Sequence, residues 1–324
     1  NERLGEVPSQ ISIGTSPVGS SLHATATGVA SVVSEHSDVK VAVKPTSGLP
    51  AYGPQLNSGQ DVEIGFDTMP ALVWAYRGEQ GFETMDNLRL LVRGNFIQVG
   101  GPIVRADSGI KKIADLKGKR VADYPATPTA EGSVDAALVG NNLSWDDVTA
   151  VPFPTNVAGI EGIRDNNVDA ASMMSPTTPA VMEVDNAVSL KGLSIIDDLP
   201  PTQEALESIP QDKVDAMISF LPGSRFTIIE PLGFITEPII GLEYPTGLIA
   251  SAHLNDETAY EIVKTLFEHF EELHSIHAWL SSWTPEQMFD PHPSLPYHPG
   301  AVQFFKDQGL WTDETEQIQQ ELLN

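Results

Sequence analysis

The residues best suited to chemistry in this 324-residue chain form a short loop near its start, Gly14-Thr15-Ser16-Pro17-Val18-Gly19-Ser20-Ser21. It follows the apolar run Ile11-Ser12-Ile13 and precedes an alanine-rich stretch, Leu22 to Val33, that reads as a helix. A strand that feeds hydroxyl residues into a helix start makes a polar cradle. Backbone N–H groups point outward there and the helix dipole favours negative charge. Gly14 and Gly19 have the spacing of a nucleotide phosphate loop, but Ser20 stands where that motif requires lysine. The loop therefore suits a small polar ligand better than a nucleoside triphosphate. The plain alternative is a tight turn between strand and helix.

Such a loop needs a strand behind it, and the chain supplies a series of them. Short apolar runs bounded by turn residues occur at 11–13, 39–43, 62–65 and 88–92, with helical periodicity at 24–33 and 70–76. Alternation of this kind predicts a parallel sheet flanked by helices. The pattern then restarts. A strand at 119–122 leads into Asp123-Tyr124-Pro125-Ala126-Thr127-Pro128-Thr129 and a small-residue helix at 130–139, and further strands read at 148–151 and 168–171. The spacing from Ile13 to Ala42 is 29 residues, as is that from Val121 to Ala150; Ile13 to Ile64 is 51 and Val121 to Ala171 is 50. These matches favour two similar α/β lobes; the plain alternative is that any strand–helix–strand series gives spacings of this order.

Ligands of open α/β sheets bind outside the carboxyl ends of the strands. In the first lobe this singles out Thr15, Ser16, Val18, Gly19, Ser20, Ser21 and His23, then Thr46 and Ser47, then Asp67 and Thr68. In the second it singles out Tyr124, Ala126, Thr127 and Thr129, with Ser172, Met173 and Ser175. Two such edges facing each other would form a cleft. The hydroxyls suit either ligand oxygens or helix capping. Asp67 suits a ligand amine or a cap, and Met173 a pocket wall or the core. Lys44 is the cation nearest these loops; Arg93, Arg105 and Arg164 read as surface residues, and Tyr52 and Trp74 as core.

A further strand reads at 238–251, followed by helices at 256–273, 299–308 and 314–323 that return to the first lobe. The expected division is therefore 1–100 with 241–324, and 101–240, joined by two crossings. Composition narrows the function. With 44 acidic and 18 basic residues the net charge is −26, which argues against nucleic acid and anionic lipid as partners. No apolar run reaches the ~18 residues of a membrane span, and Asn1 to Gln10 carry no basic and apolar leader. The absence of cysteine removes disulfides, thiolate metal sites and cysteine nucleophiles. His292 and His298 sit in a proline-rich stretch whose spacing matches no zinc pattern, and no Gly-x-Ser-x-Gly elbow is present. Neither a metal nor a cofactor is expected.

Several segments carry a family resemblance. They are Ile13-Gly14-Thr15 with Gly19; Ser58-Gly59 before Ile64-Gly65-Phe66; the run from Val104 to Ile110; the run from Ile113 to Val121; Val168-Asp169-Ala170; and His298-Pro299-Gly300-Ala301-Val302 with Phe304-Phe305 and Gly309-Leu310. In these the chain resembles the TAXI family of extracytoplasmic solute receptors that serve TRAP transporters. The resemblance implies a type II periplasmic-binding-protein fold, two α/β lobes closing on a solute. It implies a small organic carboxylate such as a dicarboxylate or amino acid, delivery to an ion-gradient-driven permease, no catalysis, a periplasmic location, and a signal peptide absent from this chain. Ser16 and Pro17 replace glycines of that family's loop, and Leu22 and His23 replace its aromatics. An enzyme or a sensory ligand-binding domain on the same two-lobed scaffold is the alternative.

Overall fold

The computed structural model describes residues 10–18 and 20–324, Ala278 by its backbone alone. These residues form two compact units, one made of the segment up to Phe96 together with Pro245–Asn324, the other of Ile97–Tyr244.

The sheet of unit one is built from β1 (Gln10–Thr15), β2 (Lys40–Pro45) and β3 (Ile64–Thr68), parallel and in the order β2-β1-β3. Ile13 stands opposite both Val43 and Ile64. Two long strands, β4 (Leu88–Val99) and β11 (Ile239–Ser251), pair with each other and carry the chain out of this unit and back. β11 runs antiparallel to β3, with Thr246 opposite Thr68 and Ala250 opposite Ile64. The expected all-parallel sheet is thus mixed, because the returning chain enters the edge of β3 from the opposite direction. β3 also extends further than expected. Phe66, Asp67 and Thr68 are strand residues that pair with Leu248, Gly247 and Thr246, not a loop.

Helix α1 (Ser21–His36) forms because Ser20 caps it, its Oγ accepting from the His23 N–H at 3.1 Å. Thr25, Ala26, Val29, Ala30, Val32 and Val33 give it a buried stripe. Helix α2 (Leu49–Ser58) is not apparent from periodicity, since it contains Pro50, Gly53 and Pro54. Pro50 lies in its first turn, where no amide is needed. Its Tyr52 ring lies against β1 and β3, so a Cβ at Gly14 would stand 2.5 Å from that ring and one at Gly65 2.6 Å. Both positions need glycine for this approach, which buries Tyr52 completely and lets its hydroxyl donate to Phe66 O at 3.3 Å. Helix α3 (Met69–Arg77) follows β3 directly and buries Trp74.

The helix expected over 256–273 is two helices, Asp256–Glu268 and Phe270–Leu273. Apolar periodicity runs through the junction, but His269 leaves helical geometry (φ −117°, ψ 24°) and ends the first helix. Helix Pro299–Asp307 packs so tightly on Asp256–Glu268 that a Cβ at Gly300 would stand 2.1 Å from the Asp256 carbonyl oxygen.

In unit two, β5 (Ile103–Arg105), β6 (Arg120–Asp123), β7 (Thr149–Pro152), β8 (Ala170–Ala171) and β9 (Leu190–Gly192) form a sheet in the order β7-β6-β8-β5-β9. Val121 stands opposite Ala150 and Ala170, as Ile13 does opposite its two partners in unit one. β5 is antiparallel to β8 and β9, so this sheet is mixed as well. β10 (Arg225–Ile229) pairs antiparallel with the first residues of β11. Helix α4 (Pro128–Gly140) follows β6. Among the described residues no helix is long and apolar enough to cross a membrane.

Candidate functional site

Parallel pairing in unit one brings the ends of β1, β2 and β3 to one sheet edge, where α1, α2 and α3 begin. Thr15 and Thr46 are joined there. The Thr46 N–H donates to Thr15 O at 2.8 Å and the Thr46 hydroxyl to the same oxygen at 3.0 Å. Thr46 Oγ1 also accepts from the Gly48 N–H at 3.1 Å, which shapes the start of α2. The Thr15 hydroxyl differs. It is fully buried and has no hydrogen-bond partner among the described residues. His23 Nδ1 and the Thr25 hydroxyl, in the first turns of α1, are buried in the same condition. Buried polar atoms are normally paired. His23 and Thr25, two residues apart on α1, lie on different sides of that helix, so the Thr15 hydroxyl at the strand end is the one of the three placed at the sheet edge.

The other candidates of this edge divide by exposure. Ser16, Ser20, Ser21 and Thr68 are half-buried, Ser47 is exposed, and Val18 projects into solvent at 74% exposure. Gly19 lies outside the described residues. Asp67 is buried, its Oδ1 accepting from the Thr68 N–H at 2.7 Å. Burial pushes its carboxyl up to about 6, and hydrogen bonds to Thr68, Tyr52 and Leu49 limit the rise. The nearby cation is turned elsewhere, since the Lys44 ammonium donates to Asp61 O. Arg93 pairs with Asp290, Arg105 with Asp107, and Arg164 with Asp165.

In unit two, β6 and β8 bring Tyr124 and Ser172 together, and the Ser172 N–H donates to the Tyr124 hydroxyl at 3.1 Å. The Tyr124 ring is fully buried, and its phenol is held well above its usual range by that burial. Space for it exists because a Cβ at Gly159 would stand 2.2 Å from the hydroxyl oxygen. Ser172 Oγ lies 2.8 Å from Ser133 Oγ, also buried. Met173 Sδ accepts from the Gly100 N–H at 3.1 Å. Tyr124, Ser172 and Met173 are thereby committed to internal contacts. Thr127 caps α4 by its backbone and leaves its hydroxyl without a capping bond; Thr127 and Thr129 are half-buried and Ala126 is exposed. Ser175 is half-buried, its Oγ 2.9 Å from Thr177 Oγ1.

One carboxylate here was not foreseen. Glu131, in the first turn of α4, accepts the Tyr124 N–H at 2.6 Å. Burial pushes its carboxyl up to about 7, the Tyr124 bond opposes this, and Asp123 and Asp135 add to it. An acid at the third or fourth position of a helix is the available signal, since it can reach back to the preceding loop.

The histidines of the proline-rich stretch serve structure. His298 is buried and caps helix Pro299–Asp307, its Nδ1 accepting from the Gly300 N–H at 3.1 Å while Nε2 lies 3.1 Å from Leu254 O. Burial pulls its imidazole down to about 4, so it is neutral at pH 7. His292 lies 3.2 Å from Glu314 on the surface.

The fold is that of periplasmic solute-binding proteins. It is similar to a TctC solute-binding protein from Polaromonas, at a TM-score of 0.54 and 14% identity over 86% of this chain and 88% of that one. It is also similar to a periplasmic sulfonate-binding protein, SsuA, of a putative sulfonate ABC transporter from Methylobacillus flagellatus KT, at 0.50 and 14% over 95% and 90%. The chain belongs to the NMT1-like family, whose model matches residues 13–309.

Proposed function

We propose that the protein is an extracytoplasmic solute receptor of the TAXI type. It binds one small organic carboxylate, such as a dicarboxylate or amino acid, and passes it to an ion-gradient-driven TRAP permease without performing chemistry. The observation that carries this reading is the fully buried Thr15 hydroxyl at the end of β1, which has no hydrogen-bond partner among the described residues. A solute oxygen would satisfy it where backbone amides and the helix dipole already favour negative charge. Of the carboxyl groups held above their usual range, Asp67 and Glu131 are bound to local backbone amides, those of Thr68 and Tyr124, and Asp135 accepts from the Trp145 indole N–H. Such bonds suit positioning of loops better than acid–base catalysis.

The test is a thermal-stability screen against carboxylates, amino acids and aromatic acids. A ligand at about 100 times its Kd adds about 2.7 kcal/mol and raises the melting temperature. The ligand should be recovered unchanged, and the double variant Thr15→Ala/Thr127→Ala should lose the shift. Consumption of the ligand would refute the receptor reading, and an undiminished shift in the double variant would remove these loops from the site.

A further inference from the structure

Away from the strand-end loops, unit one brings together two histidines and a glutamate. His36 ends α1, His269 lies between helices Asp256–Glu268 and Phe270–Leu273, and Glu272 belongs to the second of these. The imidazole rings stack with centroids 3.7 Å apart and planes 10° from parallel. Glu272 Oε2 lies 2.8 Å from His36 Nε2, and Oε1 lies 3.4 Å from His269 Nδ1. Ligand atoms from the three side chains all fall within 4.8 Å of one another.

The histidines are 24% and 33% exposed and the glutamate 46%, so one side of the group faces solvent. Imidazole nitrogens and a carboxylate oxygen converging from three side chains are the donor set that a divalent metal takes. The carboxylate supplies a negative charge, and the carbonyl end of α1 adds its partial negative charge beside His36. Glu35, Glu268 and Glu271, all exposed, are close in sequence to these ligands in a chain of net charge −26. Two nitrogens and one oxygen favour a first-row transition metal over magnesium or calcium, which prefer all-oxygen sites.

We propose that His36, His269 and Glu272 bind one divalent transition-metal ion of the zinc class, with water completing the coordination. The stacked rings must fan apart until each nitrogen approaches within about 2.0–2.1 Å of the ion. Since His36 and Glu272 are 236 residues apart, the ion would fasten the end of α1 to the C-terminal helices and exist only in the folded unit.

The test uses the full chain, stripped with chelator and titrated with ZnCl2 by calorimetry and thermal shift, with MgCl2 as comparison. One equivalent of zinc should bind and raise Tm, and magnesium should not. Glu272→Gln, which changes a half-exposed side chain, should weaken zinc at least about tenfold, as should His36→Ala. His292→Ala should leave zinc affinity unchanged. Absence of saturable zinc binding, stoichiometry above one that survives Glu272→Gln, or an equal loss in His292→Ala would overturn the proposal. Should His36→Ala fail to fold, Glu272→Gln decides alone.

Discussion

Two buried titratable groups of unit one, Asp67 and His298, work against each other as pH changes, and one substitution separates them. The Asp67 carboxyl moves from 3.8 to about 6 on folding. Between these values the native state holds a proton that the unfolded chain has released. Its stabilisation is full below pH 3.8 and is lost as pH rises through 6. At about 1.4 kcal/mol per pKa unit, roughly 3 kcal/mol disappears across that window. His298 moves the other way, from 6.5 to about 4. Its contribution is full above pH 6.5 and is lost as pH falls through 4, again roughly 3 kcal/mol. The pair therefore nearly cancels between pH 4 and 6.5. Asp67→Asn keeps an acceptor for the Thr68 N–H and removes one arm. The stability of unit one in the variant should then climb by about 3 kcal/mol from pH 4 to 6.5, while the wild type changes little. Urea unfolding followed by tryptophan fluorescence reads this, since Trp74, Trp279, Trp283 and Trp311 lie in unit one and Trp145 alone in unit two. Profiles of variant and wild type that stay parallel to within about 1 kcal/mol would refute the reasoning.

Three other substitutions probe the packing that positions the candidate site. Gly300→Ala drives a methyl group against the Asp256 carbonyl, a backbone atom that cannot step aside, and should cost at least the 1–3 kcal/mol typical of about one overpacked core position in urea unfolding. Gly14→Ala collides with the Tyr52 ring and should destabilise by about 1–3 kcal/mol; Tyr52→Leu in the same chain should recover part of the loss, and strict additivity in the double-mutant cycle would argue against the contact. Tyr124→Phe leaves the buried Ser172 N–H without an acceptor and should cost about 1–3 kcal/mol, with hydrogen exchange at Ser172 accelerated as the local readout.

Much of the sheet scaffold is legible in the residues. The short apolar runs at β1, β2, β6 and β7 stand out because each is bounded by turn-forming residues, and the repeated spacing survives as register. Ile13 pairs with Val43 and Ile64 much as Val121 pairs with Ala150 and Ala170. Strand direction is less accessible. Nothing local to Thr246–Ala250 encodes that it runs against β3, since that pairing depends on where the distant chain returns. Helix α2 escapes notice because Pro50 and Pro54 read as breakers, although Pro50 occupies the first turn and Gly53 makes room for Met85. Among the candidate site residues, position at a strand end is readable but side-chain commitment is not. Tyr124 looks like a loop aromatic until Gly159 and the Ser172 amide enclose it. His36 and His269 carry no mutual signal in the sequence at all, because only the packing of α1 against the C-terminal helices stacks them.

The pairing of Thr68 with Thr246 also bears on how the chain emerges during synthesis. Unit one opens with the first strands made, yet its sheet takes in β11 and its core takes in helices from the last fifth of the chain. The inserted unit, by contrast, is contiguous from Ile97 to Tyr244 and can condense while the remainder is still being translated. The early strands must therefore wait, with the free edge of β3 unpaired, through the production of an entire neighbouring unit. Such late, long-range closure makes for slow folding and leaves that edge open to misassociation in the interval.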